Sequence, residues 1–560
     1  MQQALAFYIE QRKKLLAQQY AGFLISWDHE TQATEQSVIA NADQMGVLSA
    51  YEYELMTDSR FENAVETLFA NKDQLDQVLA HEIEVMHKNI QETKKIPADE
   101  YVAYSQLMSE AYPIYVRAKR DNDFELFRPY LEKIVAYVRK TTIWLASDKL
   151  SGYDVLLNQY EPNYNQAKYD AFFNLLREKL VPVVKKVTQN PPPVPAWANR
   201  FWEKSKQIEF CEYLRDVLCF DKSRGIMAES AHPFTTNFGT EDVRITNHYY
   251  EDNLISSIFS VIHETGHALY EQQGDKNLNG TFCAGGASLG MHESQSRFYE
   301  NLIGRSKEFW QVHFAELQRI FAPKLNYVSV EEFVAYVNRA ERSFVRTEAD
   351  ELTYPLHVML RYEIEKLLIS GELQVKDLPE YWNNKFHEYF GITPPTDVLG
   401  VLQDMHWAGG SFGYFPTYAL GSAIASQLYH HMNNDFDVAQ SLAGGNTQQV
   451  NDWLASHIHK YGSSKYPDEI LRLAIGEDFD AKYYVDYLVN KYTNTPTVKP
   501  KYKFFINRLD GNMGIIQTTQ YDTLEDAVNA FDDITQAGNW ELVQVDPTGE
   551  DEMLDYKRNQ

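Results

Sequence analysis

His263-Glu264-Thr265-Gly266-His267 sits in a stretch that must fold as a buried helix. Leu254, Ile255, Ile258, Phe259, Val261, Ile262 and Leu269 make its flanks apolar, and the run is predicted to begin at an Asp252 N-cap and stop at Gly274. Two His four residues apart share one helix face, one turn apart. Polar groups buried there are costly without a partner, and one metal ion shared by both imidazoles is the simplest partner. Zinc is the commonest choice for this spacing, and the Glu beside the first His can activate a water. The pattern predicts a metal-dependent hydrolase of the peptidase kind. The bland alternative is an amphipathic helix with two half-buried His.

A catalytic zinc takes three protein ligands and keeps one position open. The segment 290–305, GMHESQSRFYENLIGR, reads as a second helix in which Glu293 and Glu300 compete for the third place. A Glu293 that faces solvent or pairs with Arg297 is the structural alternative. The remaining close His pairs have the wrong spacing. His81 and His87 are six apart, His430 and His431 adjacent, His457 and His459 two apart, and all six are expected at the surface or in packing.

Along the chain, 1–190 reads as successive amphipathic helices, for example Glu62 to Val78 and Phe124 to Leu145. Pro191-Pro192-Pro193-Val194-Pro195 then forms a rigid connector. Residues 232–250 turn β-branched and aromatic around Asn237–Thr240, which predicts a short hairpin just before the His-bearing helix. Helical periodicity returns from about 288 to 492. The tail changes again. KYKFFINRL and MGIIQTTQ flank Asp510-Gly511-Asn512, Thr523 with Asp526 opens a helix to about Gln536, and NWELVQVD supplies a third strand. The expected fold is mostly α: a large helical enzyme domain over 1–496, with an N-terminal part to 190 and a catalytic part over 200–496. A small α+β module over 497–560 follows it.

A formal net charge of −27, from 52 basic and 79 acidic residues, argues against nucleic-acid or anionic-membrane partners. Cys211, Cys219 and Cys283 form neither a disulfide framework nor a Cys-x-x-Cys site. With no leader-like N-terminus and no long uncharged apolar run, a cytoplasmic setting is expected.

The chain resembles the carboxypeptidase Taq family of metallocarboxypeptidases, whose motifs it carries in order. They are His232-Pro233-Phe234, Asp242-Val243-Arg244-Ile245-Thr246, His263 to His267, His292-Glu293-Ser294, Val345-Arg346-Thr347-Glu348-Ala349-Asp350, and Gly400-Val401-Leu402-Gln403-Asp404-Met405-His406-Trp407. The similarity reaches Trp27-Asp28-His29-Glu30-Thr31 and GYDVLLNQYEP at 152–162, and covers roughly 20–492. It departs at Ala228, where an acidic residue is expected, and at Asn247, which replaces a second Thr. Residues 497–560 exceed it. The resemblance implies His263, His267 and Glu293 as ligands of one Zn²⁺ (Co²⁺ in some members) and Glu264 as general base. It also implies a deep central groove and a homodimer.

Substrate residues follow from the same segments. An enzyme acting at a C-terminus must recognise a carboxylate, and the planar guanidinium of Arg346 suits it. On a helix, Asp350 would be its competing partner. The resemblance favours the clamp role. Tyr414 and Tyr418, in GSFGYFPTYALG, are candidate donors to the developing oxyanion. His232, Arg244 and His406 are further groove candidates, with Arg244 limiting substrate length. The expected reaction is release of single residues from peptides with a free C-terminus. The alternatives are an oligopeptidase or dipeptidyl carboxypeptidase on a related groove, and a non-catalytic zinc protein that binds peptides. Glu264 argues against the last.

Overall fold

The computed structural model describes residues 1–494 and 502–559. The expected boundary at 496/497 lies outside them. The first 144 residues are almost wholly helical, beginning with the long helix Gln2–Thr31. Part of this region has its own core, in which Tyr8, Leu15, Phe61, Leu68 and Ile83 are buried together. The helix expected over 62–78 is two helices, Ser59–Phe69 and Gln77–Lys95. Asp58 and Asp76 cap them by accepting from Arg60 N and Leu79 N, and a local cap outweighs the continuous apolar pattern. The expected helix from Phe124 is present as Phe124–Trp144.

The hairpin forms as β2 (Thr235–Asn237) and β3 (Val243–Asn247), antiparallel. A third strand, β1 (Gly225–Glu229), lies parallel to β3 and gives the order β1-β3-β2. The sequence reading missed it.

Three helices carry the centre. Leu254–Gln272 holds both His, and its N-cap is Asn253, not Asp252; the Asn253 side chain accepts from Ser256 N. Leu289–Arg297 follows and runs into a π-helical turn, Phe298–Ile303. Pro416–Asp435 packs on its other side. Two glycines permit this close stack. A Cβ at Gly266 would lie 2.8 Å from Gln295 O and Ser296 Cα, and one at Gly421 would lie 2.6 Å from Glu293 Cβ. Leu289–Arg297 is therefore held between two glycine-bearing helices, with Glu293 packed against Gly421.

The tail is a four-stranded antiparallel sheet of β4 (Lys503–Leu509), β5 (Ile515–Tyr521), β6 (Gly538–Val545) and β7 (Asp551–Asn559), in the order β5-β4-β6-β7. Asp510 closes the first turn by accepting from Asn512 N and Gly514 N. The helix is Leu524–Asp532, capped by Thr523 as expected but four residues shorter than read. Alternation divides the sheet. Phe504, Ile506, Trp540 and Leu542 pack on Ala527 and Phe531, while Phe505, Val543 and Val545 pack on Tyr327 of the enzyme domain. Lys503 with Glu332, Arg200 with Asp551, and Ala196 N with Thr548 O fasten the module further. Among the described residues no helix is long and apolar enough to cross a membrane.

Candidate metal centre

His263, His267 and Glu293 converge, with their ligand atoms within 4.8 Å of one another. Glu293 Oε2 lies 3.7 Å from His263 Nε2 and 3.6 Å from His267 Nε2. A tetrahedral zinc site with ordinary bond lengths separates ligand atoms by about 3.4 Å, so these three fit one such ion. Glu293 combines the two arrangements raised for it. Its Oε1 accepts from Arg297 Nε at 2.7 Å, one helical turn on, while Oε2 faces the imidazoles.

The other ring nitrogens are engaged too. His263 Nδ1 is 2.8 Å from Glu300 Oε2, and Arg297 and Arg305 both donate to Glu300. Glu300 thus holds the His263 ring from its Nδ1 side and lies outside the three-residue cluster, placed there by the π-helical turn. Burial opposes its ionisation, but the Arg297 charge and the His263 hydrogen bond hold its pKa well below the usual range. His267 Nδ1 is 2.7 Å from His292 Nδ1, and His292 Nε2 is 2.7 Å from Glu271 Oε1. With Nδ1–H on His267 and Nε2–H on His292, His267 donates to His292 and His292 donates to Glu271, which leaves His267 Nε2 free for a metal. Glu271 follows His267 by one turn, so its place on that helix face was legible. The role of His292 was not, because it depends on the crossing of two helices.

Glu264 is buried and accepts from Thr235 Oγ1 at 2.6 Å. Burial raises its pKa, against the lowering effects of His263 and Thr235. The hairpin therefore aims the carboxylate. Across the pair Thr236↔Arg244, alternation turns Arg244 to the other face. There it makes a bidentate pair with Asp242 and lies over the rings of Phe23 and Trp27, 4.9 and 5.4 Å away. His232 is exposed at the hairpin entrance, and its carbonyl accepts from Ser230 Oγ.

Arg346 is buried, but it is not on a helix as expected. It opens a single 3₁₀ turn, Arg346–Glu348, in a loop before the helix Tyr354–Ser370. Its partner is Asp404 rather than Asp350. Asp404 Oδ1 accepts from Nε at 3.0 Å and Nη2 at 2.9 Å, and Nη1 donates to Tyr354 Oη at 3.2 Å. Asp350 instead caps its own loop by accepting from Leu352 N and Thr353 N. Asp404 Oδ2 accepts from Arg361 Nε at 2.6 Å, so two buried guanidiniums share one carboxylate. Despite its burial, those two charges keep Asp404 ionised, well below the usual carboxylate range.

Tyr414 and Tyr418 stand between the two clusters. Their rings are 5.2 Å apart, and each hydroxyl feels the charges of both Glu293 and Arg346. Tyr418 lies 4.8 Å under the Arg346 guanidinium, and its hydroxyl is 3.2 Å from His406 Nε2. Burial and the Arg346 charge push His406 down to about 4, so it is neutral at pH 7. Of the unlike His, His459 is fully buried between Gln273 and Gln295, a packing role as expected.

The fold and this three-ligand cluster define a helical metallopeptidase. The profile of the carboxypeptidase Taq (M32) metallopeptidases matches residues 8–492, and the chain belongs to that family. It is 39% identical to carboxypeptidase 1 of Bacillus subtilis over 474 residues, spanning 84% of this chain and 94% of that protein. A Pyrococcus furiosus carboxypeptidase structure superposes with a TM-score of 0.84 at 34% identity, covering 87% of this chain and 99% of its own. The Trypanosoma cruzi metallocarboxypeptidase 1 structure does so at 0.82 and 30%, covering 88% and 100%. The chain is a metal-dependent carboxypeptidase with a single His/His/Glu site, among the described residues, for one ion.

Proposed function

We propose that the enzyme removes single residues from the C-terminus of peptides, with Glu264 as general base and Arg346 as the clamp for the terminal carboxylate. The unbalanced charge at Asp404 carries this reading. Arg346 and Arg361 face one carboxylate, and His406 beside them is neutral, so the buried cluster is one negative charge short. Arg346 has five N–H donors, of which three are used by Asp404 and Tyr354. The remaining pair supports a fork for a substrate carboxylate.

His263, His267 and Glu293 would hold one zinc ion, which would supply Lewis acidity toward the scissile carbonyl and make a water more acidic. Glu264, held by Thr235, takes the proton of the attacking water and returns it to the leaving amine. Tyr414 donates to the oxygen on which negative charge develops, and Tyr418 lies against the clamp. Arg244, packed under the N-terminal helix, closes the far wall of the groove that the family implies. A cytoplasmic homodimer completes the reading.

Digestion of one unmodified peptide tests the reaction. Single residues appearing in order from the C-terminus are expected. Dipeptides or internal fragments would instead establish the oligopeptidase alternative.

A further inference from the structure

Helix Tyr153–Tyr160, with the Glu161 that ends it, lies in a stretch of family similarity that contributes no member of the His/His/Glu cluster. Glu161 is fully buried. Its Oε1 accepts from Ser288 Oγ at 2.8 Å and its Oε2 from Gly290 N at 2.9 Å. Ser288 is also the N-cap of Leu289–Arg297, accepting from Met291 N at 3.0 Å. Among the described residues no Lys, Arg or His pairs with Glu161, so its partners are a hydroxyl and the N–H end of a helix. The fit is tight, since a Cβ at Gly290 would lie 2.6 Å from Glu161 Oε2.

Burying a carboxylate without a cation is costly, and an apolar side chain of similar size commonly serves stability better. Position is what the carboxylate supplies here. Glu293 lies one turn beyond Gly290 on the same nine-residue helix, so a shift of the first turn moves the ligand. The same short helix reaches the opposite side of the centre. Tyr153 Oη donates to Glu365 at 2.6 Å, Glu365 also accepts from Gly413 N at 2.7 Å, and the rings of Tyr160 and Tyr414 are 5.2 Å apart. One element therefore touches both the start of the ligand-bearing helix and the segment that presents Tyr414.

We propose that Glu161 is a positioning residue for the metal centre: its carboxylate fixes the first turn of Leu289–Arg297 and so the reach of Glu293 toward His263 and His267. This rests on those three residues holding the metal.

The test is Glu161→Gln in the full chain, read by zinc affinity in chelator competition and by the visible spectrum of the cobalt(II)-substituted protein. Zinc affinity should fall about 10-fold, as for loss of outer partners of metal ligands, and the cobalt bands should shift. Leu180→Ala, a cavity variant in the helix Gln166–Val187, should lower Tm while leaving both metal readouts unchanged. A folded Glu161→Gln with wild-type zinc affinity and spectrum would overturn the proposal, as would equal weakening in Leu180→Ala. Should Glu161→Gln fail to fold, Glu161→Asp shortens the reach of the carboxylate to Ser288 Oγ and Gly290 N. A smaller loss of affinity is then expected, and no loss would overturn the proposal. A wild-type chain that takes up no zinc, or a His263→Ala variant that keeps it, would instead refute the ligand set itself.

Discussion

Arg346→Ala should damage recognition of free C-termini and little else. The fold should survive it, because Asp404 keeps Arg361 as a partner and the remaining pair is balanced. The side chain of Arg346 is 7% exposed, so a carboxylate bound there is largely desolvated. Truncating one partner of a buried, hydrogen-bonded charge pair costs about 2–5 kcal/mol, or roughly 30- to several-thousand-fold in kcat/KM. The cation–π contact with Tyr418 is lost as well, which places the expectation above the lower bound. The assay compares one peptide as free acid and as C-terminal amide, at matched zinc content. The amide lacks the charge, so it should be a poor substrate for the wild type and change little in the variant. The informative quantity is the free-acid to amide ratio. A variant that keeps the full wild-type ratio would refute the assignment and direct attention to Arg361 or Arg244.

Glu293→Ala should abolish tight zinc binding, whereas Glu300→Ala should weaken it by about 10–100-fold, because Glu300 holds the His263 ring rather than the metal. Equal affinities in isothermal titration would contradict that division. Removing residues 497–560 should expose Tyr327 and lower Tm but leave turnover intact, and a soluble, zinc-loaded, inactive truncation would contradict it. Burial pushes Glu365 up to about 7 from an ordinary 4.5, even though Tyr153, Gly413 N and Trp407 donate to it. Between those values the unfolded chain has lost this proton and the folded chain has kept it, so stability falls as pH rises through the window. Glu365→Gln removes that contribution, and its Tm should fall less steeply from pH 5 to 7 than that of the wild type. Parallel curves would contradict the assignment.

Local patterns in the sequence carried the elements well. The His-bearing helix, the hairpin and the first three strands of the tail each announce themselves by periodicity or turn chemistry within a few residues. Boundaries failed where a cap competed with an apolar run, as at Asp76. The strands β1 and β7 were missed because neither carries a clear alternating pattern of its own. The convergence of His263, His267 and Glu293 was legible from spacing together with family motifs. Its supports were not: His292, Thr235 and Glu161 reach their partners only through helix crossings and a strand edge. Arg346 was placed on a helix because TEADELTYPLH reads as one, yet Asp350 caps a loop there and Asp404 arrives from 54 residues away in sequence, counting from that Asp350.

The central claim is that a Glu264 proton acceptor works beside a metal held by His263, His267 and Glu293. Glu264→Gln tests it most directly, with zinc content and turnover measured on the same preparation. The ligands remain, so about one zinc per chain should be retained, while turnover should fall about 10²–10⁴-fold. Near wild-type turnover at full zinc content would contradict the account.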